Sequence, residues 1–318
     1  MDRFSEPINL IFVASIGRSG STLLESMLGA HSEIETTGEV QIWPHEIIQG
    51  GVLPVGSGLM IDECPFWIEM KKRLDPLAQP FPQIHHFREK HYAGRTLRLD
   101  RIGDLQNRPL PPETHALMMQ YARNNYELFA AFANVVADTS GKRPSWLVDA
   151  SKDAYRLIWL LRSGLFNIKV IQLVKSPRGF VYSVTKQFLD KSVPNHTAKR
   201  LYFGARQSLA WSIQNELFHK VAENYLDEST YSLIKYETLA ADPYNTFKQV
   251  CNLVGVDYEK EAVDSFRDGS PYSMAGNPMR HRSGGIVLDE KWKALLPNSS
   301  KQVAQLVTSF NRRRFGYE

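Results

Sequence analysis

Ile8-Asn-Leu-Ile-Phe-Val-Ala14 runs into Ser15-Ile-Gly-Arg-Ser-Gly-Ser-Thr22, and the chain continues through Leu23, Leu24, Met27 and Leu28 to Gly38-Glu39. A short apolar run, a glycine turn and apolar residues at helical spacing read as strand, loop and helix. Gly17 and Gly20 let backbone amides turn inward. Ser21 and Thr22 add hydroxyls at the helix start, where unpaired N–H groups and the helix dipole attract anions. The stretch reads as a phosphate-cradling loop.

It departs from the Walker A pattern, G-x-x-x-x-G-K-[ST]. Ser15 stands in place of the first glycine and Ser21 in place of the lysine, and the cation of the turn is Arg18.

The 318 residues, 43% hydrophobic and 23% charged, have the composition of a soluble globular protein. A chain of this size buries about three-quarters of its unfolded surface without staples. Two cysteines, Cys64 and Cys251, form no disulfide framework and point to a reducing, cytoplasmic setting. Asp2, Glu6 and Pro7 interrupt the start, so no signal peptide is expected, and no apolar run reaches the ~20 residues of a membrane span. A net charge of +4 suits a small polyanion and does not mark a nucleic-acid binder.

Beyond the first unit, prolines recur from about Gly50 to Pro112, and Arg88, Lys90, Arg95, Arg98 and Arg101 form a basic sector with His85, His86 and His91. This loop-rich excursion reads either as solvated surface or as a lid that selects the substrate. The histidines lack metal-ligand spacing, so no metal is assigned. Glu113–Ala137 reads as a long helix with core aromatics. Trp146–Asp149 is a short strand, followed by Ala150-Ser-Lys152. Ile168–Val174 is a strand rich in β-branched residues that runs into Lys175-Ser-Pro-Arg178, where Ser176 and Pro177 suit the start of another helix. Phe203–Leu226 reads as a helix, Thr230–Lys235 as a strand ending in Tyr236-Glu237, and Asp242-Pro243 as the opening of a helix that buries Cys251. A later loop, Gly276–Gly285, concentrates Arg280 and Arg282.

Strands alternating with helices predict an α/β fold: a P-loop-type three-layer sandwich with a mostly parallel central sheet. Ligands of such sheets bind beyond the carboxyl ends of the strands, here Ser15, Asp149, Lys175 and Tyr236. The whole chain, 1–318, reads as one domain with a cap insertion at about 41–140.

Taken in order, these motifs resemble the sulfotransferases that use 3′-phosphoadenosine 5′-phosphosulfate, in particular the bacterial and tyrosylprotein-type branch. Gly17-Arg-Ser-Gly-Ser-Thr-Leu-Leu24 is similar to the family's 5′-phosphosulfate loop. Leu173-Val-Lys-Ser-Pro-Arg-Gly-Phe-Val-Tyr-Ser183 is similar to its 3′-phosphate motif, with Lys175 and Ser183 at the family spacing and Arg178 one turn on. Ile234-Lys-Tyr-Glu-Thr-Leu239 resembles the block whose tyrosine, here Tyr236, lies near the adenine. Gly276-Asn-Pro-Met-Arg280 resembles the C-terminal nucleotide loop. Lys175 replaces the usual arginine, which keeps the charge and loses the planar fork. The histidine base of the soluble branch has no counterpart in Asp149-Ala-Ser-Lys152, whereas the glutamate base of the tyrosylprotein branch falls near Glu39.

The resemblance implies donor binding by Gly17, Arg18, Ser19, Gly20, Ser21, Thr22, Lys175, Arg178, Ser183, Tyr236, Arg280 and Arg282. It implies catalysis by Arg18 and Lys152 on the leaving phosphate and by Glu39 as base, with His45 in reserve. Adenosine 3′,5′-bisphosphate is the implied product, and no metal is required. The acceptor is a small molecule, sugar or peptide with a hydroxyl or amine; neither a nucleic-acid partner nor a membrane span is expected. A P-loop kinase or nucleotide hydrolase using Mg-ATP stands as the alternative, because Trp146–Asp149 resembles a Walker B strand. A binding module that holds the nucleotide without transferring anything is a third reading.

Overall fold

The computed structural model describes residues 4, 6–43, 53–74, 97–98, 101–190, 192–269, 271–276, 280 and 284–318. His45, Arg282, Arg88, Lys90, Arg95 and the three histidines of the basic sector lie outside the described residues.

Five strands form one sheet in the order β2-β3-β1-β4-β5. They are β1 (Ile8–Ser15), β2 (Ile34–Thr36), β3 (Trp146–Asp149), β4 (Phe166–Val174) and β5 (Tyr231–Lys235). Every pairing is parallel, with Phe12 opposite Asp149, Ser15 opposite Leu173 and Val174 opposite Lys235. The parallel α/β fold expected from the alternating pattern is the one observed.

β1 is buried from Leu10 to Ser15 because both of its faces are covered. Its period-two alternation divides the interior. Leu10, Phe12 and Ala14 join the core of Phe129, Phe132, Leu157 and Phe218. These side chains come from helices α3 (Pro112–Ser140), α4 (Ala154–Ser163) and α6 (His196–Tyr225). Ile11 and Val13 face the opposite core, where Leu24, Met27 and Leu28 of α1 (Ser21–Ala30) meet Phe247 of α7 (Pro243–Val254). A smaller cluster of Val174, Phe180, Val181, Trp211 and Phe315 sits beneath α5 (Pro177–Thr185). Cys251 is fully buried and its thiol is pushed up to about 12 by that burial, which suits packing rather than chemistry.

From the stretch 41–140, α2 (Pro65–Leu74) packs Phe66, Trp67 and Met70 into the same core as α3. Arg101 is no free surface cation: it pairs with Asp104 at 2.5 Å and lies over the Trp159 ring at 4.4 Å. α6 begins at His196, ahead of the Phe203 start that its apolar spacing marks. Buried Arg200 explains the extension, because it donates to Ser300 Oγ at 3.2 Å and ties the polar first turns to α8 (Asn298–Val307).

The chain leaves β1 toward β2 and leaves β4 toward β5. The connections diverge between β1 and β4, the switch point where a parallel sheet leaves a crevice beyond its carboxyl edge.

Candidate active site

Five predicted residues reach that edge in spatial order: Glu39 after β2, Lys152 after β3, Arg18 after β1, Lys175 after β4 and Tyr236 after β5. The sheet thus turns motifs scattered over more than two hundred residues of sequence into one row.

The loop after β1 forms the centre. Gly20 caps α1 at φ 95°, and no side chain caps the helix there, so its first-turn amides face the crevice. Ser19 Oγ and Ser15 Oγ are buried without a protein partner, as expected of a cradle built for an anion's oxygens. Ser21 and Thr22 are nearly buried at the first turn, whereas Arg18 is exposed and holds φ 74°. A Cβ on Gly20 would lie 2.4 Å from the Tyr236 ring, so only glycine lets the ring close on the loop.

On the β4–β5 side, Ser176 Oγ caps α5 by accepting from Gly179 N at 3.2 Å. Lys175 is 6% exposed and its Nζ lies 4.3 Å from the Tyr236 ring centre. Burial holds its ammonium below the ordinary lysine range, opposed by Asp289 and Glu237. Arg178 lies over the Trp292 ring at 5.8 Å. Ser183 is half-buried, and its Oγ donates to Phe180 O at 2.7 Å. None of Arg18, Lys175 and Arg178 forms an ion pair with a described carboxylate. Glu237 fastens this side: Oε1 accepts from Ser176 N at 3.0 Å, and Tyr317 Oη lies 2.7 Å from Oε2 and 3.0 Å from Val174 O.

On the β2–β3 side, Lys152 Nζ meets Glu39 Oε1 at 2.5 Å, with both side chains largely buried. Gln214 Nε2 holds the Lys152 carbonyl at 2.9 Å, and Lys152 itself adopts φ 61°. Glu39 N donates to Met274 O at 3.0 Å and Met274 N to Thr37 O at 3.1 Å. Behind this pair lies Glu25 of α1, 2% exposed, which accepts from Ser273 Oγ and stands 3.9 Å from Arg280 Nη2. Burial pushes the Glu25 carboxyl up, against the pull of Arg280 and the Ser273 hydroxyl. Arg280 is thus held against Glu25 and the Ser273 carbonyl, next to the segment that binds the Glu39 backbone.

Asp149, the Walker B candidate, is fully buried. Its oxygens accept from Ser151 N at 2.9 Å and from Arg156 Nε at 2.7 Å, and Arg156 is itself held by Tyr121 and Asn125. These contacts order the Lys152 loop. Among the described residues no group of three His, Cys, Asp or Glu side chains is placed to hold a metal, and no helix is long and apolar enough to cross a membrane.

The sequence reading missed Glu25, Ser273 and Glu237. A carboxylate at an apolar helix position was the available signal for Glu25, since Leu24 and Leu28 flank it on the buried face.

Residues 157–293 match the family model of the sulfotransferase domain. The match contains Lys175, Arg178, Ser183, Tyr236 and Arg280. Among solved structures, the sulfotransferase domain from the curacin biosynthetic pathway is similar over 99% of both chains, at 19% identity and a TM-score of 0.51. The sulfotransferase domain of the Synechococcus PCC 7002 olefin synthase is 21% identical over 96% of both chains, with a TM-score of 0.47. No curated protein matches the chain significantly. The family match covers less than half of the chain and the curacin-pathway likeness shows the α/β fold; together they support sulfuryl transfer, and nothing in them supports the kinase alternative.

Proposed function

We propose that this protein moves a sulfuryl group from 3′-phosphoadenosine 5′-phosphosulfate to a hydroxyl or amine acceptor. The observation that carries the reading is the division of the sheet edge: cations and buried hydroxyls without partners among the described residues flank the switch point, and a carboxylate–lysine pair stands beside them. The amides of residues 17–22, with Ser19, Ser21 and Thr22, suit the donor's 5′-phosphosulfate. Lys175, Arg178 and Ser183 suit its 3′-phosphate, and Tyr236 suits the adenine. Arg280 and Arg282 complete the donor set by resemblance.

Sulfuryl transfer is an in-line displacement whose catalysis consists mostly of positioning and charge stabilisation. Glu39 takes the acceptor's proton as its oxygen or nitrogen bonds to sulfur. Arg18, with Lys152 assisting, neutralises charge gathering on the leaving 5′-phosphate. No step calls for a metal. The chain acts as one domain, the stretch at about 41–140 chooses a small-molecule, sugar or peptide acceptor, and the buried, unbridged cysteines suit a cytoplasmic setting.

Calorimetric titration with adenosine 3′,5′-bisphosphate and with Mg-ATP, followed by assay of sulfate transfer to phenolic and sugar acceptors, tests the reading. Tight bisphosphate binding with donor turnover is expected. Turnover of Mg-ATP without use of the sulfate donor sinks it, and bisphosphate binding without transfer to any acceptor favours the binding-module reading.

A further inference from the structure

We propose that Glu25 is a positioning residue for sulfuryl transfer: it locks Ser273 and Arg280 onto α1 and so fixes the segment that holds Glu39 relative to the donor cradle. The proposal rests on the reading of Glu39 as the base.

A carboxylate on the buried face of a helix is costly unless it is compensated. Glu25 stands one turn beyond Ser21 and Thr22, so the helix that begins at the cradle carries it directly. Its Oε1 accepts from Ser273 Oγ and faces Arg280 Nη2 at 3.9 Å. The next residue after Ser273 is Met274, whose carbonyl receives Glu39 N at 3.0 Å and whose amide donates to Thr37 O. Gly38 permits this approach, since a Cβ there would lie 2.3 Å from Met274 O. A continuous path therefore runs from the cradle helix through Glu25, Ser273 and Met274 to the backbone of Glu39.

Arg280 is held by the same anchor. Its Nη1 donates to Ser273 O at 3.4 Å, and it packs so closely on Gly276 that any Cβ there would overlap the guanidinium. Its Nη2 is buried with no hydrogen-bond partner among the described residues, and the charge it faces there is that of Glu25. The charged groups facing Glu25 are Arg280, Lys152 and Glu39. With the Glu25 charge gone, Arg280 is left to compete with Lys152 for the Glu39 carboxylate. An apolar residue at position 25 would pack without a partner; the buried pair is explained by register, the best-attested use of such pairs.

Glu25→Gln and Arg280→Met, singly and together, test this. Glu25→Gln is expected to lower kcat about tenfold or more, the scale of a small misplacement at a reacting centre. For Glu25→Gln the loss in kcat should exceed any loss in donor KM or in affinity for adenosine 3′,5′-bisphosphate, because Lys175 and the cradle amides are untouched and only Arg280 of the donor set is loosened. Each single substitution should lower the thermal midpoint by about 5 °C or more, and the double variant no further than the worse single. Should Glu25→Gln fail to fold, Glu25→Asp, which keeps the charge and shortens the reach, is read in the same way. A kcat within about twofold of wild type, or thermal effects that simply add, overturns the proposal. Absence of sulfuryl transfer by the wild-type protein overturns the functional reading instead, and the thermal cycle still decides whether Glu25 and Arg280 are linked.

Discussion

At the β2–β3 end of the sheet edge Lys152 meets Glu39 and Arg280 faces Glu25, whereas at the β4–β5 end Lys175 lies over Tyr236 and Arg178 over Trp292. A cation held by a carboxylate is balanced within the protein. A cation resting on an aromatic face is held in place with its charge still available to an anion. The same elements, a strand end and the turn after it, thus serve two tasks. In the proposed reading one end positions a base and the other receives a polyanion, with exposed Arg18 between them.

That division breaks first, if it is wrong, at Glu39. Glu39→Gln should lower kcat by about 10²–10⁴ while leaving the affinity for adenosine 3′,5′-bisphosphate nearly unchanged. Unaltered turnover in steady-state assays would remove the base from the β2–β3 end. Arg18→Ala should cost about 10²–10³ in kcat with a modest loss of donor binding; an effect confined to KM would move Arg18 wholly to the nucleotide side.

At the other end, Lys175→Met should weaken the bisphosphate about 10- to 100-fold by calorimetry. The contact also has a pH signature. Burial holds Lys175 below its ordinary value of 10.5, so its charge, and the bisphosphate affinity, is complete below that lowered pKa and is lost as pH rises through it. Lys175→Arg should remove this alkaline loss, because arginine stays charged. An identical alkaline decline in the arginine variant would place the titrating group elsewhere. Smallest of all, Ser183→Ala should weaken adenosine 3′,5′-bisphosphate about 2- to 10-fold and leave adenosine 5′-phosphosulfate unaffected. Equal weakening of both would take Ser183 off the 3′-phosphate.

Much of this edge was legible in the sequence, because the cradle and the Lys175 motif each follow a strand whose pattern is strong; β2, which carries Glu39 to the edge, is three residues long and has no such pattern. The apolar run before Ser15 and the β-branched run before Lys175 locate their own carboxyl ends, and the parallel order does the rest. Pairing across the interior was not legible. Glu25 precedes Ser273 by some two hundred and fifty residues, and neither position has a periodic signal that points to the other. Glu237 is similar: a glutamate after a strand reads as solvated, and only the fold brings it to Ser176 N and Tyr317. The stretch from 41 to 140 hid its role for a different reason. Its basic and proline-rich parts obscured α2, whose Phe66 and Trp67 join the aromatics of the legible helix α3 over one face of the sheet.

Arg18 at φ 74° and Lys152 at φ 61° both occupy backbone territory that glycine enters freely and other residues enter at roughly 1–2 kcal/mol. Each cation is therefore kept against the preference of its own turn. A library of variants sorted for thermal endurance alone should drift toward glycine at exposed position 18, and the same library sorted for turnover should purge it; at position 152 glycine would strand the buried Glu39 carboxylate, which outweighs the backbone relief. Robustness and catalysis pull on the Arg18 loop in opposite directions and on the Lys152 loop in the same one, although both choices are written in the sign of a single dihedral angle.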